Sequence, residues 1–168
     1  MEEIRRTKEK VLNRDQIKYI AVILMALNHI ASIFLKEDTV AFLLLRNLGY
    51  FTAPVMCYFL VEGYYYTHSR TQYGQRLLLF ALLSQIPFQI AFGEGQNWRL
   101  VRGNMILTLF ICFLMMVCLD ERHVLPAAVL IFLTAFCDWG MTAPLMVILF
   151  RNARKNQKKR MRDFFIAS

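Results

Sequence analysis

The sequence predicts an all-α fold, a polytopic membrane helix bundle with about six transmembrane or re-entrant helices. Apolar residues make up 57% of the 168-residue chain and aromatic residues 14%, whereas a soluble domain has an apolar share of about 45–50%. Apolar stretches near the ~20 residues that cross a bilayer recur along the chain. These two observations indicate an integral membrane protein.

The basic residues, which give a net charge of +8, cluster at the ends of the apolar segments. Such flanking cations are typical of the cytoplasmic ends of membrane helices, so the charge indicates topology and not a nucleic-acid partner. A basic leader (residues 1–16) and a basic tail (residues 151–168) are expected in the cytoplasm, on either side of a helix bundle over residues 17–150. The expected location is the cytoplasmic (inner) membrane. The charged leader shows no signal-peptide cleavage site.

Five apolar segments predict the membrane helices. They cover residues 17–35, 48–67, 77–92, 104–119 and 124–150. Residues 36–46 are predicted to form a polar connection and residues 93–103 an outer loop. The last segment is long for one span, and Asp138, Trp139 and Gly140 interrupt it. Two short helices or a re-entrant hairpin therefore fit it better than one helix.

Glu62 lies within the second predicted helix. A carboxylate in hydrocarbon costs ~2.5–3.5 kcal/mol on insertion scales, so it is expected to face the bundle interior or a wet cavity. Tyr58 and Tyr66 lie four residues to either side of it, on the same helical face, and would offer hydroxyl neighbours. The alternative is a purely structural carboxylate that pairs with Arg70 or Arg76.

His29 is the strongest candidate for chemistry. Counted from residue 17 it lies ~18 Å into a hydrocarbon core of ~30 Å, slightly past the midplane. Neutral imidazole is the usual general base near pH 7. The alternative is that Asn28 and His29 hold helices together, as polar side chains in membrane bundles do.

Other polar residues within the bundle suggest a pocket that faces the cytoplasm. Counted from residue 77, Ser84 and Gln85 lie ~10–12 Å from the cytoplasmic surface, and Glu62 lies at a similar ~9 Å. Gln85 and Asn104 each begin an i, i+4 polar pair, for which helix packing is the main interpretation. The four cysteines show no metal-ligand spacing, so they are expected to be packing residues and no metal is expected.

Four stretches of the sequence resemble, in order, the TraX family of membrane proteins, which is named for a conjugation protein needed for N-terminal acetylation of F-type pilin. They are NRDQIKYIAVILMALNHIA, FTAPVMCYFLVEGYYYTHSRTQYGQRLLLFALLSQIPF, GNMILTL and CDWGMTAPLMVILF. The resemblance runs from about residue 14 to residue 150. The order of these motifs carries it, since each motif alone is weak.

The resemblance implies an integral membrane acyltransferase that moves an acetyl group from cytoplasmic acetyl-CoA to an amine or hydroxyl acceptor, such as a pilin N-terminus or a glycan. His29 would be its general base, with Asn28 and Glu62 in the same catalytic site. The residues expected to bind substrate or acetyl-CoA are Arg14, Lys18, Tyr58, Tyr66, Arg70, Arg76, Ser84, Gln85, Asn104 and Asp138. The cations among them, with those of the tail, would hold the phosphates of CoA.

Two departures from the family pattern keep other functions open. The family usually has Asp where this chain has Asn28, and Glu where it has Gln85. Relatives also continue past the basic tail, so a shortened or divergent member is expected. The rival hypothesis is a non-catalytic scaffold or partner subunit, and a homo-oligomer is compatible with either. A small transporter with Glu62 as proton carrier is disfavoured, because no second half mirrors the first.

The cation distribution generates a topology prediction. The tail carries seven cations and the leader through Lys18 six, against two in residues 93–103, so the termini should be cytoplasmic and that loop outside. In intact cells an impermeant thiol reagent should label a Gln96→Cys variant and fail to label Gln157→Cys, with the parent chain as control for the native cysteines. The reverse pattern would overturn the orientation.

Overall fold

The computed structural model describes residues 13–36, 38–92 and 103–167. Apart from one bridge between Gly103 and Cys137, the regular structure of these residues is helical, which confirms the predicted all-α class. Their seven helices are α1 (Arg14–Phe34), α2 (Val40–Tyr50), α3 (Thr52–Tyr66), α4 (Arg70–Phe92), α5 (Met105–Asp120), α6 (Val124–Thr134) and α7 (Thr142–Ala167). Nearly all of the predicted outer loop and most of the leader lie outside the described residues.

The chain divides into two compact units, Met1–Thr52 and Ala53–Ser168, which are described separately. In the first unit, α1 packs against α2. The Thr52 hydroxyl donates to the Ala21 carbonyl at 3.3 Å, and Asn28 lies against Gly49. These contacts progress in opposite directions along the two segments, so α1 and α2 form an antiparallel hairpin.

The first helix begins at Arg14 rather than at the predicted residue 17. The Asn13 N–H donates to Gln16 Oε1 at 2.8 Å, which is half of a capping box. Asp15 in the first turn also suits the positive end of the helix dipole. The capping residues therefore extend the helix beyond its apolar stretch, and Arg14 and Lys18 belong to the first turns of α1.

The polar connection predicted over residues 36–46 is wrong in its second half, because α2 begins at Val40. The helical path is broken at Phe51, and α3 begins at Thr52. Pro54 explains this break: it has no N–H to donate four residues back, and its ring would clash with the carbonyl there, yet it is tolerated in the first turn of a new helix.

The fourth helix also begins earlier than predicted, at Arg70 instead of residue 77. Ser69 precedes it, and its hydroxyl accepts a hydrogen bond from the Gln72 N–H at 3.3 Å. This is the local contact that makes serine a favoured helix cap. The turn between α3 and α4 is thereby reduced to residues 67–69.

The interruption predicted at Asp138 is confirmed. Helix α6 ends at Thr134 and α7 begins at Thr142. Between them Trp139 and Gly140 have φ values of 66° and 47°, in the left-handed region that a continuous helix cannot contain. The backbone of α7 then continues through the basic tail to Ala167.

Helix α5 is the centre of the second unit. Its buried residues are Met105, Thr108, Leu109, Cys112, Phe113, Met115 and Met116. They pack with buried residues of α3, α6 and α7, which are Cys57, Leu60, Val61, Tyr64, Ala127, Ala143 and Val147. A helix that is apolar nearly all round can be stable only when it is surrounded, so polar groups gather at the two ends of α5.

Within the described residues, three helical stretches are long and apolar enough to cross a membrane: Asp15–Phe34, Val40–Tyr66 and Arg70–Phe92. Helices α5 and α6 are apolar but shorter. Large apolar side chains are exposed along α4, with Ile86 at 65% and Ile90 at 71%. An apolar surface of this kind is unfavourable in water and suited to lipid. The chain is an integral membrane protein.

The close contact between α1 and α2 generates a stability prediction. A Cβ added at Gly49 would lie 2.5 Å from Asn28 Cγ, so Gly49→Ala must force the hairpin apart. Overpacking of this kind typically costs ~1–3 kcal/mol, and the melting temperature in detergent should fall. The matched control is Asn47→Ala, at an exposed position of the same helix. Equal melting temperatures for the two variants would contradict the described packing.

Candidate functional site

Two polar groups of residues lie at opposite ends of α5. At its C-terminal end is a charged cluster, defined as Glu62, Arg70, Asp120, Arg151, Arg154 and Lys155. At its N-terminal end is the Asn104 corner, defined as Ser84, Gln85, Asn104, Thr108 and Asp138. From Asn104 to Asp120 the helix rises ~24 Å, so the two groups are separate sites.

Asp120 is the centre of the charged cluster. Its Oδ1 accepts a hydrogen bond from Arg151 at 2.7 Å, and Lys155 Nζ lies 3.9 Å from the same oxygen. Its Oδ2 accepts from the Tyr64 hydroxyl at 2.9 Å, and Arg70 lies 3.5 Å away. One carboxylate thus joins the ends of α3, α4 and α5 to the middle of α7.

The charges around Asp120 keep it ionised. Its side chain is 22% exposed and that of Arg151 is 10% exposed. Burial of Asp120 favours its neutral form, but hydrogen bonds from Arg151 and Tyr64 and the charges of Arg151 and Lys155 favour the carboxylate more strongly. The pKa of Asp120, which follows the last apolar residue of α5, is therefore held below its ordinary value.

Glu62 is the other carboxylate of the cluster, and it pairs with Arg154 of α7. The Arg154 guanidinium also lies over the rings of Tyr65 and Tyr66, with its Cζ 4.9 Å and 4.5 Å from their centroids. Arg70 lies in the same way over Tyr64, at 4.3 Å. Aromatic faces thus stabilise two of the cluster's cations through their quadrupoles.

The predicted partners of Glu62 are corrected in two respects. Its cation is Arg154 and not Arg70, because Arg70 is drawn to Asp120. Of the two tyrosines expected beside it, Tyr66 shares Arg154 with Glu62. The ring of Tyr58 instead packs edge-on against Phe150.

The shared pocket predicted for Glu62, Ser84 and Gln85 is also wrong. Ser84 and Gln85 belong to the Asn104 corner, at the far end of α5. The predicted depth takes residue 77 as the start of the helix, whereas α4 begins at Arg70, and hydrogen bonds place Ser84 and Gln85 beside Asn104.

The Asn104 corner is held by a continuous set of hydrogen bonds. The Asn104 side chain donates to the Ala81 carbonyl at 2.9 Å and to the Ser84 hydroxyl at 3.1 Å, and its N–H donates to Gln85 Oε1 at 3.0 Å. Its own Oδ1 caps α5 by accepting the Leu107 N–H at 2.8 Å. Thr108 donates to the Asp138 carbonyl at 2.7 Å. These satisfied contacts favour the packing interpretation of Gln85 and Asn104.

In the first unit, Asn28 and His29 occupy neighbouring positions of α1 and are partly buried. Adjacent helix residues point in different directions, and Asn28 lies against Gly49 of α2. Its Oδ1 is buried without a hydrogen-bond partner among the described residues. Lys18, near the start of α1, pairs with Asp15 at 3.5 Å.

The two remaining predicted ligand-binding cations are Arg14 and Arg76. The side chain of Arg14 lies outside the described part of the chain, and Arg76 is exposed on α4. Within the described ranges no group of three or more His, Cys, Asp or Glu residues could hold a metal ion. Assignment of Arg14, Lys18 and Arg76 to a ligand stays a prediction.

The sequence interpretation missed the central role of Asp120 and the part played by the tail. Asp120 falls between the predicted segments 104–119 and 124–150, and Arg151, Arg154 and Lys155 enter the sequence analysis only as cations of the basic tail. One signal was present: these cations stand at i, i+3 and i+4 and follow Phe150 without a helix breaker, so they share one helical face. Their carboxylate partners are distant in sequence and were not visible.

Fold and site together define a polytopic α-helical membrane protein with an ion-paired cluster at the C-terminal end of α5. Comparison with known proteins gives the family. The model of the family described as TraX protein matches residues 13–166, and the chain belongs to this family. It is 30% identical over 165 residues to the probable fimbrial assembly protein FimC, serogroup H1, of Dichelobacter nodosus, across 91% of this chain and 67% of that protein. No solved structure matches the chain.

The Asp120 hub generates a prediction for stability and its pH dependence. Asp120→Asn leaves Arg151 buried without its carboxylate, which should cost ~1–3 kcal/mol, whereas Glu121→Gln changes only an exposed side chain. Melting temperatures in detergent at pH 7 should show this difference.

Because the pKa of Asp120 is lowered by folding, the contribution of Asp120 to stability is present above the unfolded pKa of ~3.9 and is lost as the pH falls through the lower folded value. The gap between wild type and Asp120→Asn should therefore close below about pH 4. A gap that stays constant down to pH 2 would show that ionised Asp120 contributes nothing.

Proposed function

We propose that this chain is a membrane acyltransferase that moves an acetyl group from acetyl-CoA to a free amino group, with a pilin-type peptide as the acceptor. The observation that carries this proposal is the TraX family match over residues 13–166. The relative named as a probable fimbrial assembly protein supports the acceptor class, since the family takes its name from a protein needed for acetylation of pilin. The proposed location is the cytoplasmic membrane with both termini inside, which the cation distribution supports.

The proposed reaction needs a base that removes a proton from the acceptor amine. A peptide α-amino group has an ordinary pKa of ~7.7–8.0, so at neutral pH much of it is protonated and cannot attack. In the proposed reaction the amine nitrogen attacks the thioester carbonyl carbon while His29 accepts the amine proton. The C–S bond then breaks, the acetyl group stays on nitrogen, and CoA leaves as the thiol after recovering the proton.

His29 suits this role by its residue type and position. It is a partly buried histidine within an apolar helix, and imidazole is the usual general base near pH 7. The two other histidines, His68 and His123, stand at exposed positions between helices. Asn28 supports α1 against α2 and is assigned a positioning role. Glu62, paired with Arg154, is assigned to the polar end of the second unit.

A second candidate function is a non-catalytic scaffold or partner subunit of the same fold. Asn28 and Gln85 favour it, because members of the TraX family usually carry carboxylates at these two positions. Gln85 is engaged in the Asn104 corner, where its carbonyl oxygen accepts a backbone hydrogen bond. Calorimetric titration of the purified protein with acetyl-CoA separates the two functions, since a scaffold has no reason to bind a thioester.

The general-base role of His29 can be tested by kinetics. His29→Ala should lower turnover by the ~10²–10⁴ that a positioned base contributes, with little change in acetyl-CoA affinity. His29→Gln, which keeps a polar side chain of similar size, should be equally impaired. His68→Ala is the matched control and should keep its activity. Mass spectrometry of a pilin-type peptide with a free amino terminus, incubated with acetyl-CoA, would measure the transfer.

The opposite results identify the alternative. A His29→Gln variant that keeps its activity would show that His29 is not the general base. A wild-type protein that binds no acetyl-CoA and acetylates no peptide would favour the scaffold, and a loss of folding in His29→Ala alone would then assign the imidazole to helix packing.

A further inference from the structure

We propose that the charged cluster is a binding site for a phosphate-bearing ligand, with Arg70 and Lys155 as the residues that contact the phosphate. No residue of α7 was assigned individually to a ligand by the sequence motifs. Where the phosphate is that of CoA, this inference deepens the proposed function and rests on it. Where it is that of a lipid headgroup, it stands alone.

The first observation is an excess of positive charge. Arg70, Arg151, Arg154 and Lys155 face two carboxylates, those of Asp120 and Glu62. Three guanidinium groups and one ammonium group carry far more N–H donors than two carboxylates can accept. The cluster therefore has positive charge and hydrogen-bond donors that its own side chains do not satisfy.

The second observation is that part of this excess is buried. Arg151 is 8% exposed, and the Arg154 side chain is 13% exposed. The Nε atoms of both are buried and have no hydrogen-bond partner within the described residues. Buried charges that are incompletely paired are costly, and they interact more strongly with an added anion than charges in open water do.

The third observation shows where an anion can enter. The side chains of Arg70 and Lys155 are 50% and 52% exposed, and they lie 3.5 Å and 3.9 Å from opposite oxygens of Asp120. These distances exceed the 2.7–2.9 Å of a good charged hydrogen bond, so both cations can turn toward an external oxyanion. Arg151 meanwhile holds Asp120 at 2.7 Å and reduces the repulsion between that carboxylate and a phosphate.

Two ligands share this chemistry: the phosphates of CoA, and the headgroup of an acidic phospholipid. The first test is calorimetric titration of the purified protein in zwitterionic detergent with CoA, and separately with pantetheine, which lacks the phosphates. The second uses dihexanoyl phosphatidylglycerol, with dihexanoyl phosphatidylcholine as the neutral control. Each titration is made with wild type, Arg70→Gln, Lys155→Gln and Lys155→Arg.

Arg70→Gln and Lys155→Gln should each weaken the phosphate-bearing ligand about tenfold or more, while Lys155→Arg keeps most of the affinity. The matched control is Arg122→Gln, which removes an exposed cation two residues beyond Asp120 that pairs with none of the cluster's residues, and which should change affinity less than about twofold. Unchanged melting temperatures confirm that the variants are folded, as expected for half-exposed side chains.

The outcomes separate the two proposals. Loss of CoA affinity in both Gln variants supports a CoA site, and loss of phosphatidylglycerol affinity alone supports a lipid site. Affinities that are equal in all variants, or no binding of either ligand, overturn the site. Acetyl transfer with an unaltered KM for acetyl-CoA in both Gln variants and no lipid binding would also overturn it while leaving the proposed function standing. CoA binding that depends on both cations without any acetyl transfer would refute the function and leave the site.

Discussion

The carboxylate of Asp120, at the C-terminal end of the apolar helix α5, is the interaction on which the arrangement of the charged residues in the second unit depends. One carboxylate accepts from Tyr64 and Arg151 and attracts Arg70 and Lys155. These residues belong to α3, α7 and α4, so the ends of α3 and α4 and the middle of α7 are fixed around the end of α5. Side-chain packing of Met and Phe residues can slide between neighbouring arrangements, whereas a charged hydrogen bond of 2.7 Å permits much less freedom.

At the N-terminal end of α5 the helices are held together by hydrogen bonds between uncharged groups. Asn104 caps the helix, holds the Ser84 hydroxyl and the Ala81 carbonyl, and is itself held by Gln85. Gly103 passes beside the corner between α6 and α7, where an added Cβ would lie 2.7 Å from Cys137 Sγ. The hydrogen bonds of the Asn104 corner thus join uncharged groups, whereas the charged end keeps surplus donors. This asymmetry makes the charged end the better place for an anionic ligand.

His29 and the charged cluster are identified on different grounds. His29 is chosen for its chemistry within an apolar helix and for the family to which the chain belongs. The charged cluster is defined by hydrogen bonds and ion pairs between α3, α4, α5 and α7.

The sequence by itself determined the all-α class, the membrane environment, the break at Asp138 and the family, because these depend on composition, local backbone preference and motif order. It misplaced the starts of α1, α2 and α4, since capping residues such as Asn13 and Ser69 lie outside the apolar stretches that were counted. Only the tertiary structure decided which charges meet. Glu62 and Arg154 are far apart in sequence, as are Asp120 and Arg151, and a pairing between distant residues depends on how helices pack rather than on any local pattern. From the sequence, the cations of the tail indicate only topology. In the folded chain, three of them, Arg151, Arg154 and Lys155, belong to the charged cluster.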